Sequence, residues 1–125
     1  MSKVFLEKIP IKVKFQGIEV SGELIRFLAP RTIESLVRAV PFSSKAFLWK
    51  EELYFETPVS LGPERPKPTV QPGDIAYWPP GKALCLFFGS SQPYSPVNVI
   101  GKLKSELSEL KKVRNGEHVE VKIAE

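Results

Sequence analysis

The chain has 125 residues, of which 42% are hydrophobic and 26% charged, a balance that disfavours disordered, collagen-like and membrane classes and gives one domain over residues 1–125. A chain this long buries about two thirds of the surface its unfolded form exposes, so it needs neither disulfides nor a structural metal to fold. Lys and Arg number 18 against 14 Asp and Glu, a net charge of +4, but the excess is dispersed and its longest cluster is Lys111, Lys112 and Arg114, which disfavours a nucleic-acid partner.

The N-terminal stretch MSKVFLEKIP has no long apolar core and is not read as a secretory signal. No apolar run approaches the ~20 residues that span a bilayer, so the expectation is an intracellular, cytoplasmic protein with no membrane partner. Ile9, Ile11, Val13 and Phe15 then alternate with polar residues and Pro10. After Gln16-Gly17, so do Ile18, Val20, Gly22 and Leu24. A two-residue turn pairs Phe15 with Ile18 and Val13 with Val20 on one face and sets Lys14 opposite Glu19 on the other, with Gly17 supplying a positive φ. From Pro30 to Val40 the period changes. Ile33, Leu36, Val37 and Val40 form a helical stripe, opened by Pro30 and ended by Pro41. Strands are expected over Lys45–Trp49 and Leu53–Thr57.

Residues 58–73 hold five of the twelve prolines and read as an ordered excursion or flap across the surface. Next come a strand over Asp74–Trp78, a tight Pro79-Pro80-Gly81 turn, and Ala83–Phe88, which is apolar on both faces and therefore buried on both sides. The single cysteine, Cys85, lies in that run and reads as a buried small hydrophobe rather than a nucleophile. A small-residue loop over 89–96 precedes a strand over Val97–Leu103. Leu103, Leu107 and Leu110 mark a short helix, Asn115-Gly116 a turn, and Val119, Val121 and Ile123 a last strand. The sum is a mainly β chain: a closed or nearly closed barrel of about eight strands with two short capping helices.

Sequence motifs for common chemistry are missing. Pro80-Gly81-Lys82 lacks the upstream glycine and following hydroxyl residue of a phosphate loop. Ser90 and Ser91 lie outside any G-x-S-x-G pattern. His118 reads as a surface residue without metal-ligating company. Neither a metal nor a cofactor is expected. Glu51 and Glu52 point to opposite faces if on a strand, a poor acid–base pair, and read as a solvated turn.

The order of elements resembles that of cyclophilins. Leu28-Ala29-Pro30-Arg31-Thr32 resembles the entry to their first helix, Leu86-Phe87-Phe88 their Gln-Phe-Phe strand, and Val99-Ile100-Gly101-Lys102-Leu103 their strand ending in Phe-Gly-Lys-Val. Gly73-Asp74-Ile75-Ala76-Tyr77-Trp78-Pro79-Pro80-Gly81, Phe87-Phe88-Gly89 and Leu53–Val59 are similar to a small prokaryotic cyclophilin-like family of unassigned function. The resemblance implies a cyclophilin-like barrel over nearly the whole chain. Aligning Phe47 with the phenylalanine that precedes the cyclophilin catalytic arginine places Trp49 at the arginine position, with Lys50 next. The glutamine falls at Pro58, and the tryptophan and histidine find no counterpart around Gln92 to Val97. Phe88 carries over.

The expected function is therefore a peptide- or small-ligand-binding module without efficient catalysis, its pocket lined by Trp49, Phe55, Tyr77, Trp78 and Phe88. Arg65 and Lys67 are candidates to close over an anionic group. The alternative is a divergent peptidyl-prolyl cis-trans isomerase, for which Lys50 or Arg65 would have to replace the missing arginine. An RNA-associated protein would need the lysines gathered on one face. The residues leave monomer and homodimer open.

Overall fold

The structure, a computed structural model, describes residues 7–124. Eight strands run in chain order: β1 (Lys8–Lys14), β2 (Glu19–Ile25), β3 (Phe42–Trp49), β4 (Glu52–Glu56), β5 (Asp74–Trp78), β6 (Ala83–Phe87), β7 (Asn98–Leu103) and β8 (Glu117–Ile123). They close into an antiparallel barrel in the order β1-β2-β7-β5-β6-β4-β3-β8. The one α-helix among the described residues, α1 (Pro30–Ala39), joins β2 to β3, and a 3-10 helix over Leu107–Lys112 joins β7 to β8. These two connections lie at opposite ends of the barrel. Ile33 and Leu36 at one end, and Leu110 and Val113 at the other, are buried in the interior cluster. The two expected caps are thus present, the second as a tighter helix.

The β1–β2 hairpin has the expected register, with Val13 opposite Val20 and Lys14 opposite Glu19. Its turn differs from the expectation. Gly17 does not take a positive φ; among the described residues the glycines that do are Gly73 and Gly116. The turn is instead closed by the Phe15 amide on the Ile18 carbonyl at 2.8 Å, and the Glu117 carboxylate accepts the Gln16 amide at 2.7 Å. Side-chain alternation then sorts each strand into an inner and an outer row. Ile11, Val13, Val20, Leu53, Ile75 and Leu86 belong to the barrel interior.

Two connections cannot be short. β4 and β5 are separated in the sheet by β6, and β6 and β7 are separated by β5. Because neighbours are antiparallel, β4 runs in the same direction as β5, and β6 in the same direction as β7. Each connection must therefore travel the length of the barrel outside its wall. The proline-rich segment over 57–73 makes one crossing and the segment over 88–97 makes the other. They meet at a bridge in which the Lys67 amide donates to the Val97 carbonyl at 2.8 Å and the Val97 amide to that of Lys67 at 3.0 Å. Gln92 extends the seam by accepting the Val70 amide at 2.9 Å and donating to the Val70 carbonyl at 3.2 Å. Beneath them the outward-facing Ala76, Cys85 and Phe87 pack with Val70 and Val97 of the crossings in a second buried cluster. All five residues of β6 are buried for this reason, as its two-faced apolarity implies.

Candidate functional site

The two crossings do not seal the outer face completely. They leave a pocket of about 240 Å³ over strands β4, β5 and β6. Its walls follow from strand register. Glu52 and Tyr54 are two apart on β4 and so share the outward face, and Cys85 on β6 lies directly opposite Tyr54. Trp49 ends β3 and pairs with Glu52 across the tight Lys50-Glu51 turn. Trp78 closes the far side from β5, and Pro93, Tyr94 and Val97 of the second crossing complete the lining.

The aromatic rim is held in place. Tyr94, which is 80% exposed, stands edge-on to Trp49 at 6.4 Å and to Trp78 at 6.3 Å. The Trp78 Nε1–H donates to Ser95 Oγ at 2.7 Å. Behind Trp78, a Cβ on Gly81 would lie 2.6 Å from the indole ring, so only glycine lets the Pro79–Gly81 turn fold against that face. Glu51 anchors the start of the second crossing. Its carboxylate accepts the Ser90 amide at 3.0 Å, and its own amide donates to Ser91 Oγ at 3.0 Å. A Cβ on Gly89 would come within 2.3 Å of the Glu51 carboxyl carbon. The aromatic strip continues outside the pocket, where Phe47 packs on Tyr54 at 5.9 Å.

Glu52 is the one charged residue in the lining, and it is 5% exposed. This corrects the expectation of a solvated Glu51-Glu52 turn. The turn is Lys50-Glu51, and the next position on the outward row lies beneath the crossing. Burial pushes the Glu52 carboxyl above its ordinary value, partly offset by a hydrogen bond from the Cys85 thiol. Burial, and secondarily the Glu52 charge, push the Cys85 thiol well above its ordinary value. Cys85 is therefore buried as expected and remains a protonated thiol, but it also forms part of the pocket wall.

Of the aromatic residues named from sequence, Trp49 and Trp78 meet in this pocket. Phe55 is fully buried inside the barrel. Tyr77 also points inward, and its hydroxyl donates to the Val59 carbonyl at 2.6 Å and accepts the Leu61 amide at 3.1 Å, fastening the proline-rich crossing. Phe88 packs against the interior cluster, whereas Phe87 joins the outer one. Lys50 adopts φ 55°, and its Nζ lies 4.6 Å from the Trp49 ring centroid. Arg65 does not close over the pocket; its guanidinium donates to the Phe27 carbonyl. Lys67 is exposed and contributes its backbone to the bridge with Val97. Sequence reading missed Glu52, Tyr54, Pro93 and Tyr94. The period-2 relation of residues 52 and 54 to a turn at 50–51 is the signal that would have found the first two.

Among the described residues, no group of three or more His, Cys, Asp or Glu side chains is placed to hold a metal ion. No helix among them is long and apolar enough to cross a membrane.

A family model described as Cyclophilin-like matches residues 9–122. The solution structure of the hypothetical protein AF2241 from Archaeoglobus fulgidus is similar at 38% identity and a TM-score of 0.81, covering 94% of this chain and 96% of that one. The structure of McbB in complex with tryptophan is similar at 16% identity and a TM-score of 0.76, covering 90% of this chain and 44% of that one, a likeness of fold alone. Comparison with curated proteins finds no match.

Proposed function

The chain belongs to the cyclophilin-like family, and on that premise we propose that it is a binding module whose outer-face pocket takes one group of a peptide or small molecule, without efficient catalysis. The observation that carries this reading is the pocket itself, a space of about 240 Å³ walled by Trp49, Tyr54, Trp78 and Tyr94. Sites for drug-sized ligands enclose roughly 300–1,000 Å³. This one therefore suits a single side chain or headgroup, with the rest of the ligand outside over the Phe47–Tyr54 strip.

The chemistry of the lining supports binding over isomerisation. Rotation about an X-Pro bond must overcome roughly 18–20 kcal/mol of amide resonance. A catalyst of that step needs a donor that favours the twisted nitrogen. No arginine or lysine is among the lining residues, and Arg65 is committed to the Phe27 carbonyl.

Both tryptophans of the chain line the pocket, so intrinsic fluorescence reports on it directly. Titration with N-acetyl methylamides of the common amino acids and with small apolar probes is expected to give a saturable change for a subset. Tyr94→Ala, at an exposed position, is expected to weaken that binding about fivefold while leaving the fold intact, as the loss of aromatic contact implies. If no probe saturates, and none shifts amide resonances of Trp49 or Trp78, the binding reading is wrong.

A further inference from the structure

We propose that the group taken by this pocket is an organic cation, specifically a methylated ammonium, seated among Trp49, Tyr54, Trp78 and Tyr94 with its charge facing the Glu52 carboxylate. The inference rests on the binding reading above and gives it a ligand class.

Three observations carry it. The first is an uncompensated charge. Ion pairs in the described residues join Lys12 to Glu19, Arg38 to Glu34, Lys102 to Asp74, Lys104 to Glu23 and Lys112 to Glu109, and none includes Glu52. Its hydrogen-bond partner is the Cys85 thiol, a weak and neutral donor. A buried carboxylate is costly unless something pairs with it. On a chain of net charge +4, the acidic spot at the base of this pocket runs against the global balance.

The second observation is the wall. Indole and phenol faces attract cations through their ring quadrupoles, most strongly where water is excluded. Trp49 already shows this property, with Lys50 Nζ 4.6 Å from its centroid. Lys50 is exposed and lies outside the lining, so its ammonium stays hydrated and leaves the pocket open. The third observation is the scarcity of acceptors. Apart from Glu52, the lining offers aromatic, proline, valine and thiol surface. A primary ammonium would place only some of its three N–H groups on Glu52 and turn the others toward ring faces, and a guanidinium more of its five, whereas a trimethylammonium group has no N–H to satisfy. An anionic ligand would meet the Glu52 charge directly. The pocket volume of about 240 Å³ accommodates such a headgroup, with the remainder of a longer ligand lying outside.

The test is titration of the full chain with choline and with 3,3-dimethyl-1-butanol, its neutral isostere with carbon in place of nitrogen, read by tryptophan fluorescence and by amide shifts. Choline is expected to saturate and to bind at least about tenfold more tightly than the isostere. Glu52→Gln is expected to reduce choline affinity about tenfold and to leave the isostere unaffected. In the unmodified chain choline affinity falls on acidification, a readout that needs no variant. Equal binding of choline and isostere overturns the cation and leaves the binding module standing. Binding of other probes but of neither of these does the same. Saturation by no probe at all removes both readings. A trimethyllysine peptide that binds more tightly than choline identifies the source as a protein tail, and equal affinity identifies a small molecule; either result upholds the methylated ammonium.

Discussion

Burial of the Glu52 carboxyl beneath the second crossing costs stability whenever the group is ionised. The carboxyl titrates above its ordinary value of 4.5 because burial penalises the anion more than the Cys85 hydrogen bond favours it. A folded-state value above the unfolded one means that the stability tied to this group is fully present below 4.5 and is lost as pH rises through the folded value. Glu52→Gln, which keeps the shape and removes the charge, is therefore expected to raise Tm at pH 7 by roughly 2–6 °C, the shift of a sub-kcal to one-kcal change in a domain this size. The gain should vanish well below pH 4.5. Thermal melts of both proteins across that range check the sign. A Tm at pH 7 unchanged or lowered by the substitution would mean that the carboxylate is better compensated than its surroundings indicate. Residues that lower stability while facing a pocket are the expected signature of a site kept for function.

At the scale of elements, the proline-rich crossing is held by polar contacts to parts of the fold far away in sequence. Helix α1 starts at Pro30 without a capping side chain of its own. Glu64 supplies the cap from the crossing, accepting the Arg31 amide at 3.1 Å, the Thr32 amide at 2.8 Å and the Thr32 hydroxyl at 2.8 Å. The buried Asn98 side chain completes the knot, accepting the Glu64 amide at 2.8 Å and donating to Thr32 Oγ1 at 3.2 Å. Burial alone would raise the Glu64 carboxyl, but the hydrogen bonds from Thr32 and Arg31 and the nearby Arg31 charge hold it below its ordinary value. The stability it contributes is thus present above the unfolded value and lost as pH falls through the folded one. Glu64→Ala is expected to cost about 1–2 kcal/mol at neutral pH, the loss of a helix cap, and less in acid. Faster hydrogen exchange at the Lys67 and Val97 amides should accompany it, because their bridge depends on the same crossing. Unchanged exchange there would show that cap and bridge act independently.

For the whole molecule, a barrel closed on itself has no free sheet edge, which leaves as surface its two capped ends and its outer face. The structure places an aromatic pocket on the outer face and draws no arginine into it. An exchange assay of X-Pro peptides with the full chain is accordingly expected to show no acceleration over background. Acceleration that disappears in Tyr94→Ala would restore the isomerase reading and make Glu52 and Lys50 the next groups to test. The fold was largely legible beforehand because strand and helix periods are local. The Val13–Val20 register, the α1 stripe from Ile33 to Val37 and the two-faced apolarity of β6 each need only neighbours in sequence to be read. The site was legible in part. Trp49 and Trp78 were recognisable as large aromatics at strand ends, but Phe55 and Tyr77 share their chemistry and face the other way.

Sequence by itself determined the order of elements, a mainly β barrel closed or nearly so, and the two hydrophobic rows of the central strands, since alternation follows from the pleat of a strand. Only the tertiary structure decided which row faces the barrel interior and which faces the pocket. That depended on the two crossings over 57–73 and 88–97, whose paths are set by strand order in the closed sheet rather than by any local pattern. The same crossings bury Glu52, bring Tyr94 between Trp49 and Trp78, hold Arg65 against Phe27, and leave Phe88 on the inner side where Phe87 has the outer. A one-residue step along a strand reverses a side chain's face, so the identity of the pocket rests on long-range packing that a list of neighbours does not contain.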